Sequence, residues 1–369
     1  MNLFERISEY DHERVVLCND SETGLRAIIA IHDLTLGPAL GGIRMLPYES
    51  DDAALIDALR LARGMTYKAA VSGCDLGGGK SVVIGDPRTQ KTEELLRAMG
   101  RFIDDLGGHY IAGQDIGTGA DDLAVVRQET RYLACVHESA GGAGDPSFAT
   151  AYGVVAGIRA VLEAATGSSD LAGRRVAIQG VGHVGYRVAE HCHEGGASIV
   201  VSDLSQAAAE RAAAIFGAEV TDPECIYDQE CDVFSPCSVG AVVDDDTLDR
   251  FRCAAIAGAA NNVLAEPRHG DLLRERGIVY GPDYLVNSGG LIRCQEEVRA
   301  GGPVDDTKVL DKVALIYDQT LEVIRAAEAE SIGTAEAADR IAERRIDEAR
   351  RTGKTWDRRT RRAAWATAG

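Results

Sequence analysis

The chain of 369 residues lacks the paired cysteine spacing that marks disulfide frameworks and zinc sites. Its nine cysteines are an odd number, and none forms a CxxC pair. Cys225, Cys231 and Cys237 recur every six residues, but this spacing matches no zinc pattern. The cysteines therefore predict reduced thiols in the cytoplasm, without a disulfide framework and without a metal site.

Excess basic charge and long apolar runs are also missing. Lysine and arginine number 39 against 58 acidic residues, and the net charge of −19 makes nucleic acid and anionic membranes unfavourable partners. No apolar run reaches the roughly 18 residues that a membrane-spanning helix needs. Residues 1–6 lack the basic region and apolar core of a signal peptide. The expected location is the cytoplasm.

The most informative segment present is 68–115. Lys68 and Lys80 are twelve residues apart, Lys80 follows three glycines, and Asp115 stands alone among small and apolar neighbours. Two ammonium groups and one carboxylate in such surroundings suit a pocket that binds an anion and moves protons. A lysine near a second cation in a dry site loses its proton more easily, as a base working near neutral pH requires. Taken alone, Asp115 could equally cap a loop.

A dinucleotide-binding fingerprint follows further along the chain. Residues 174–179 and 198–202 read as strands, 186–194 reads as a helix, and Asp203 ends the second strand. The glycine motif between the first strand and the helix consists of Gly180, Val181, Gly182, His183, Val184 and Gly185. Strand, G-x-G-x-x-G, helix, strand and acid occur in the order of a dinucleotide fold.

Each member of the fingerprint has a physical role. Gly180 allows the tight turn, Gly182 lets a pyrophosphate approach the backbone, and Gly185 lets the helix pack on the strand. Asp203 is placed to hold the ribose 2′-hydroxyl, and no arginine follows it to accept a 2′-phosphate. The motif therefore favours NAD over NADP.

The length and the order of elements predict an α/β protein with two domains. Residues 1–140, completed by the tail 330–369, form one α/β domain, and residues 141–329 form a Rossmann-type, doubly wound NAD-binding domain. Glycines and a proline in 141–147 predict a hinge. Further helices are predicted at 51–64, 93–105 and 149–165 and in the tail 305–351. Further strands are predicted at 26–32, 81–84, 233–237, 255–258 and 278–281.

Seven motifs together resemble those of the amino-acid dehydrogenases that act on glutamate, leucine, phenylalanine and valine. They are residues 40–45 (LGGIRM), 64–68 (GMTYK), 76–80 (LGGGK), 115–118 (DIGT), 144–147 (GDPS), 261–262 (NN) and 286–290 (VNSGG). The short length is similar to the leucine, valine and phenylalanine branch. The resemblance implies reversible oxidative deamination of an L-amino acid to a 2-oxo acid and ammonia, with hydride passed to NAD. It also implies a homo-oligomer, and a substrate domain separated by a cleft from the NAD-binding domain.

The resemblance also implies roles for single residues. Lys68 would pair with the substrate carboxylate, Lys80 would be the general base that activates water, and Asp115 would exchange a proton with the amino group or water. Neighbouring Lys68 would lower the pKa of Lys80. The remaining contacts would come from Gly41 and Asn262 to the substrate and from Thr150 and Asn261 to the nicotinamide. Paired asparagines are otherwise common in turns.

The residues expected to line the side-chain pocket are Leu40, Met65, Gly113, Leu291 and Cys294. All are apolar or small, which argues against glutamate, because a desolvated charge would have no cation to pair with. Gly113 and Leu291 are similar to the aromatic branch of the family. Pockets discriminate a single methylene by only ~1–3 kcal/mol, so branched-chain and aromatic substrates both stay open.

The chain departs from the family pattern at four positions. Phe148 replaces a usual proline beside the predicted hinge, and Val263 stands where glutamine is common. Arg293 and Cys294 replace a neutral polar residue and a valine, which puts the local geometry of the pocket in question.

Two other functions compete with this hypothesis. A hydroxy-acid dehydrogenase would need a histidine paired with a carboxylate and an arginine for the substrate, and the eight histidines offer no obvious set. A catalytically silent NAD-binding sensor or scaffold would be free to lose Lys68, Lys80 and Asp115, which are intact here.

Overall fold

The computed structural model describes residues 3–136 and 144–356, which form two compact units. The first unit contains Met1–Asp145, Arg293–Asp305 and Ala342–Gly369, and the second contains Pro146–Ile292 and Asp306–Ile341. The chain therefore passes between the units at four points. It returns to the first unit at Arg293, earlier than the predicted position 330, and again at Ala342, later than that position. Residues 141–143 of the predicted hinge lie outside the described residues, as does the end of the chain after residue 356.

The first unit is built on a mixed sheet. Its strands are β1 (Arg14–Asp20), β2 (Leu25–Asp33), β3 (Ala39–Leu46), β4 (Gly77–Ile84) and β5 (Tyr110–Gln114). Their order across the sheet is β1-β2-β4-β3-β5; β3 runs parallel to β4 and β5, and β2 runs antiparallel to β1 and β4. The helices of residues 3–126 are α1 (Leu3–Glu9), α2 (Asp51–Val71), α3 (Glu93–Asp104) and α4 (Ala120–Val126).

Helix α2 begins where the sequence predicts it. The Ser50 hydroxyl accepts a hydrogen bond from the Ala53 backbone N–H (3.1 Å), and Asp51 and Asp52 stand in the first, electropositive turn. The helix runs seven residues past the predicted end at Gly64, so that Lys68 lies in its last turn. Its alanine- and leucine-rich face forms a buried core with β2 and β4, made of Ile28, Ala30, Ala54, Leu55, Ala58, Leu59, Ala62 and Val82.

The second unit carries an all-parallel sheet. Its strands are β6 (Arg175–Gln179), β7 (Ser198–Ser202), β8 (Glu219–Val220), β9 (Val233–Pro236), β10 (Ala255–Ile256) and β11 (Val279–Tyr280). The order is β11-β10-β9-β6-β7-β8. The chain moves outward from β6 to β8 and then restarts on the other side of β6 at β9, which makes a topological switch point between β6 and β9. The predicted strands are confirmed, and only the two-residue β8 carried too little pattern to be predicted.

Helices flank this sheet and form the C-terminal part of the chain. They are α5 (Ser147–Thr166), α6 (His183–Glu194), α7 (Gln206–Phe216), a 3-10 helix (Pro223–Asp228), α8 (Arg268–Glu275), α9 (Asp283–Val286), α10 (Gly289–Ala300), α11 (Asp306–Val313), α12 (Ile316–Glu330) and α13 (Thr334–Thr352). The last three confirm the helical tail. Helix α5 is long and apolar enough to cross a membrane, but 61% of its apolar window is buried, as expected for a core helix.

The prediction that every thiol is free is wrong for one pair. Cys135 and Cys294, 159 residues apart in sequence, form a disulfide with a Cα–Cα distance of 6.1 Å. Local spacing cannot reveal such a pair, because only the fold brings the two segments together. The other seven cysteines are free.

Candidate active site

One face of the first unit's sheet collects the predicted catalytic residues. Side chains alternate between the two faces of a strand, and on β4 the face of Gly78, Lys80 and Val82 is the one that α2 covers. A methyl group added at Gly78 would lie 2.2 Å from the Thr66 backbone nitrogen of α2. A methyl group added at Gly42 would lie 2.7 Å from Asp115 Cβ, so Asp115 belongs to the same face. The fold thereby brings Lys80 and Asp115 together, as predicted.

Lys80 and Asp115 form a buried ion pair. Lys80 Nζ contacts Asp115 Oδ2, and the two side chains are 8% and 19% exposed. The loop that carries Asp115 is fixed by Thr118, whose hydroxyl accepts from the Asp115 N–H (3.1 Å) and donates to the Ile43 carbonyl (2.6 Å). Thr118 thus holds the loop, which leaves the Asp115 carboxylate to face Lys80.

A second cation completes the cluster, and the sequence analysis assigned it no role. Arg44 donates from Nε to Asp115 Oδ2 (3.2 Å) and from Nη1 to Asp57 Oδ2 (3.0 Å). The Tyr48 hydroxyl donates to the same Asp57 oxygen (2.6 Å). Arg44 lies two residues after Gly42 on β3 and therefore projects from the same face, but only the order of the strands in the sheet shows that Asp115 lies beside it.

These contacts set the ionisation of the pair. Burial lowers the pKa of Lys80; Arg44 lowers it further, while Asp115 opposes the change. Burial alone would raise the pKa of Asp115, but the charges of Lys80 and Arg44 hold it below its ordinary value. A depressed lysine pKa agrees with the prediction. The second cation is Arg44, however, where the sequence had suggested Lys68.

Lys68 lies on the flank of α2 that faces this cluster. It follows Asp57 by eleven residues, which is three helical turns, so the two side chains leave the helix in nearly the same direction. Asp57 in turn contacts Arg44. Gly64, on the same flank, has open space beside it, since an added methyl group would meet no described heavy atom within 4 Å apart from its own helix. Lys68 thus lies on the same flank of α2 as Asp57 and Gly64.

Four of the five predicted pocket residues belong to the first unit. Leu40 and Gly113 are buried on the cluster's face of the sheet, Met65 is half-buried on α2, and Cys294 is buried on α10. A methyl group added at Gly113 would meet only the Ala134 carbonyl, at 3.6 Å, so the glycine leaves a small space. Leu291 is also buried on α10, but it belongs to the second unit.

The structure explains the residue type at Gly41 and the contact made by Arg293, both in the first unit. Gly41 is a glycine because an added methyl group would lie 1.7 Å from the Gly79 carbonyl oxygen, and its own carbonyl accepts from the Tyr110 hydroxyl (3.0 Å). Arg293, an unusual residue for this position, is buried and donates from Nη1 to the Gly144 carbonyl (3.1 Å). Its guanidinium is thus engaged by backbone.

The glycine motif of the second unit lies where β6 ends and α6 begins, at the switch point. Gly180 has φ +91°, and an added methyl group would lie 2.5 Å from Ser238 Cβ in the loop after β9. A methyl group on Gly185 would lie 2.0 Å from the Gly180 carbonyl. Gly182, the N-cap of α6, is exposed and would meet no described atom within 4 Å. Two glycines are therefore required by close packing, and the third leaves the helix N-terminus open to a phosphate.

The other motif positions and Asp203 frame that opening. Val181 is buried, while His183 is exposed and Val184 is half-buried in the first turn of α6. Asp203 Oδ2 accepts from the Val181 N–H (2.8 Å), and Oδ1 accepts from the Ser205 N–H (2.8 Å). The carboxylate thus joins the loops after β6 and β7 at the carboxyl edge of the sheet, and these residues fit a dinucleotide.

The asparagine pair lies at the same edge, after β10. Asn261 and Asn262 are exposed, and Asn262 adopts a left-handed backbone with φ +54°. Asn287, which the sequence analysis left without a role, donates from Nδ2 to Asn261 Oδ1 (2.8 Å) and so orients that side chain. Thr150 lies in the first turn of α5, where its hydroxyl donates to the Pro146 carbonyl (3.1 Å), and Phe148 is half-buried in the same turn.

Residues 3–136 and 144–356 contain no group of three or more histidine, cysteine or acidic side chains arranged to hold a metal.

Comparison with known proteins identifies the chain. A family model described as "Glu/Leu/Phe/Val dehydrogenase, dimerisation domain" matches residues 12–132, and "Glutamate/Leucine/Phenylalanine/Valine dehydrogenase" matches 141–211 and 205–353. The chain belongs to the Glu/Leu/Phe/Val dehydrogenase family.

Relatives of this dehydrogenase act on different apolar amino acids, according to their names. This chain is 48% identical to leucine dehydrogenase of Thermoactinomyces intermedius over 96% of both chains. It is also 48% identical to phenylalanine dehydrogenase of Bacillus thermotolerans, over 93% of this chain and 90% of that one. The crystal structure of L-tryptophan dehydrogenase from Nostoc punctiforme has a TM-score of 0.84 and 42% identity, covering 95% of this chain and all of that one. The protein is an amino-acid dehydrogenase, and its fold implies a nicotinamide cofactor.

Proposed function

We propose that this dehydrogenase catalyses the reversible, NAD-dependent oxidative deamination of an apolar L-amino acid to its 2-oxo acid and ammonia. The observation that carries the proposal is the buried cluster of Lys80, Asp115 and Arg44. A silent NAD-binding scaffold has no need of such a cluster, because burying charged groups costs stability unless function requires it.

Binding of the amino acid uses side chains and backbone groups of both units. Lys68, on the flank of α2, pairs with the substrate carboxylate. The Gly41 backbone and the Asn262 side chain make hydrogen bonds to the same molecule. Leu40, Met65, Gly113, Leu291 and Cys294 receive the side chain. This pocket set includes no cation, so a carboxylate side chain would lose its solvation without compensation.

The proton transfers follow from the ionisation of the cluster. The nicotinamide, when bound, accepts a hydride from the substrate α-carbon. Lys80, as a neutral amine, then takes a proton from the water molecule that adds to the iminium carbon. Asp115 exchanges a proton with the substrate nitrogen. As the added hydroxyl loses its proton and forms the C=O bond of the 2-oxo acid, the C–N bond breaks and ammonia leaves. A lysine with an ordinary pKa would be protonated near neutral pH and could not act as this base.

Arg44 is a positioning residue in this scheme. It touches Asp115 and Asp57 and has no direct contact with Lys80 among the hydrogen bonds and ion pairs of the described residues. Its guanidinium keeps Asp115 ionised and disfavours the charged form of Lys80. Asp57 contacts the guanidinium, and Tyr48 contacts Asp57. The geometry of the ion pair therefore depends on three further side chains, those of Arg44, Asp57 and Tyr48.

The cofactor site favours NAD. Asp203 accepts two backbone hydrogen bonds and still presents its charge beside the glycine loop, where it pairs with a ribose 2′-hydroxyl and repels a 2′-phosphate. Val181, His183, Val184 and the three glycines would hold the pyrophosphate region of the cofactor, and Thr150 and Asn261 would hold the nicotinamide.

The assembly is a homo-oligomer located in the cytoplasm. Support comes from the description of the family's N-terminal domain as a dimerisation domain, which matches residues 12–132. The only macromolecular partner proposed is another copy of the chain; neither nucleic acid nor a membrane is part of the proposal.

Initial rates with leucine, valine, phenylalanine, tryptophan and glutamate, each with NAD and with NADP, test the function. We expect turnover of the apolar amino acids with NAD and little with glutamate. Glutamate as the best substrate would overturn the pocket assignment. A protein that binds NAD but oxidises none of the five would favour the silent scaffold.

A further inference from the structure

Cys135 lies beside a strand edge that belongs to the amino-acid site. Residues 132–134 extend the sheet next to β5, because the Ala112 N–H donates to the Tyr132 carbonyl (3.0 Å) and the Ala134 N–H donates to the Ala112 carbonyl (2.8 Å). Cys135 is the next residue, and its backbone turns away with φ +59°. Cys135 therefore directly follows Ala134, whose carbonyl oxygen would lie 3.6 Å from a methyl group added at Gly113, in the predicted pocket.

A second contact holds Cys135 against α10 independently of any covalent bond. The Cys135 N–H donates to Glu297 Oε2 (2.7 Å), and Glu297 is only 4% exposed. Glu297 follows Cys294 by one helical turn, so both residues face Cys135 from the same side of the helix. The two thiols thus stay close even when they are reduced.

The pair also borders two places where the chain passes between its units. Cys135 precedes the passage at 145/146 by ten residues, and Cys294 is the second residue after the passage at 292/293. A covalent bond between the thiols would therefore tie two connecting segments to each other. It would also draw the sulfurs from van der Waals contact to about 2 Å, which moves the pocket wall.

The other cysteines provide a contrast. Burial raises the pKa of Cys74 to about 11 and that of Cys192 to about 12, so these thiols are poor nucleophiles. Cys231 and Cys253 lie on neighbouring segments of the second unit, since the Cys231 N–H donates to the Arg252 carbonyl (3.3 Å), which makes them a natural control pair. Among the cysteines of residues 3–136 and 144–356, Cys135 and Cys294 are the one pair that is joined.

We infer that Cys135 and Cys294 are a redox-active dithiol in the wall of the amino-acid pocket, and that their oxidation to a disulfide by a hydroperoxide lowers turnover. One thiolate attacks the peroxide oxygen to give a sulfenic acid and releases an alcohol or water. The second thiol displaces water from that sulfenic acid and forms the S–S bond. Two thiols are oxidised, and one peroxide is reduced by two electrons. The effect on turnover rests on the proposed function, whereas formation of the bond does not.

Thiol mapping on the unmodified enzyme tests the bond directly. The enzyme is treated with hydrogen peroxide, alkylated under denaturing conditions and digested. We expect a cross-linked peptide pair that contains Cys135 and Cys294, which disappears after dithiothreitol. If peroxide oxidises other cysteines while Cys135 and Cys294 are each alkylated as free thiols, the inference is overturned. This result does not depend on whether the enzyme oxidises amino acids.

Kinetics with the preferred amino acid test the consequence. We expect kcat/KM to fall about tenfold on oxidation, as for the misfit of one methylene in a pocket, and to recover with dithiothreitol, while the Kd for NADH stays unchanged. Cys135→Ser should lose this sensitivity, and Cys253→Ser should retain it. Cross-linking without a change in kcat/KM, or a Cys135→Ser enzyme as sensitive as the wild type, would contradict the role in turnover. If Cys135→Ser does not fold, the mapping of the wild type still decides the bond.

Discussion

The lysine cluster of the first unit and the glycine loop of the second unit are constructed in opposite ways. Lys80 comes from β4, Arg44 from β3 and Asp115 from the loop after β5, and their charges hold one another in place. The loop 180–185 comes from one continuous segment, and packing against its own backbone fixes it, as the 2.0 Å approach of a methyl group on Gly185 to the Gly180 carbonyl shows. A site that moves protons needs coupled charges, whereas a site that binds phosphate needs exposed N–H groups and space.

The contrast has a consequence for mutation. In the cluster, a change at one side chain alters the ionisation of the others, so its effect appears in the pH dependence of the rate. In the loop, a change alters the backbone or fills space, so its effect appears in stability or in cofactor affinity. Four tests, with five substitutions and two control variants, separate these outcomes.

Replacing the base should have the largest effect. Lys80→Ala removes the amine that accepts a proton from water, and we expect kcat to fall about 10³-fold with the Kd for NADH unchanged. Lys80→Arg is the matched control, because arginine keeps the positive charge beside Asp115 but cannot deprotonate. Steady-state rates and NADH fluorescence titration measure both. An active arginine variant would mean that position 80 needs only its charge.

Arg44→Gln tests the coupling within the cluster. Without the guanidinium, the pKa of Lys80 rises, so more of the lysine is protonated at neutral pH and the rate profile moves to higher pH. Each pH unit by which the profile moves lowers the rate about tenfold at a fixed pH below the ascending limb. Arg88→Gln, at an exposed arginine paired with Asp86, is the control. An unshifted profile with a lower plateau would show that Arg44 acts only by holding the fold.

A pair of glycine substitutions tests the loop. Gly185→Ala forces a methyl group against the Gly180 carbonyl and should lower the unfolding free energy by about 2 kcal/mol. Gly182→Ala meets no described atom within 4 Å, so its Tm should match the wild type while its Kd for NAD rises about tenfold. Thermal melts and isothermal titration distinguish the two. An equal decrease of Tm in both variants would contradict the assignment of Gly182 to the phosphate.

Asp203→Asn should have the smallest effect. The amide oxygen can still accept from one backbone N–H, so the loops after β6 and β7 stay joined, but the charge that repels a 2′-phosphate is gone. We expect the ratio of kcat/KM for NAD to kcat/KM for NADP to fall about fivefold, which corresponds to roughly 1 kcal/mol. Ratios of kcat/KM for the two cofactors measure it. An unchanged ratio would remove Asp203 from cofactor selection.

The elements determined by local pattern could be predicted from the sequence. Ser50 with two following acids located the start of α2, and the alternation of strand, glycine motif and helix located β6, α6 and β7. These signals lie within one segment, so they do not depend on the rest of the fold. The resemblance to the family is confirmed by the matches across nearly the whole chain.

Contacts between distant segments could not be predicted. The Arg44 guanidinium reaches Asp115, 71 residues away, and Cys135 meets Cys294 across 159 residues. Neither pairing leaves a spacing in the sequence, because sheet order and helix packing decide both. The end of α2 was missed for a related reason: Gly64 reads as a helix end, yet tertiary packing of Thr66 and Ala70 continues the helix.

The pH dependence of kcat for deamination by the wild-type enzyme tests the central claim most directly, since kcat reports groups in the substrate complex. Over about pH 6 to 11, we predict an ascending limb whose apparent pKa belongs to the Lys80–Asp115 pair and lies below the ordinary lysine value of 10.5. A limb at the ordinary value, or a kcat that does not vary with pH in this range, would contradict the assignment of Lys80 as a buried base.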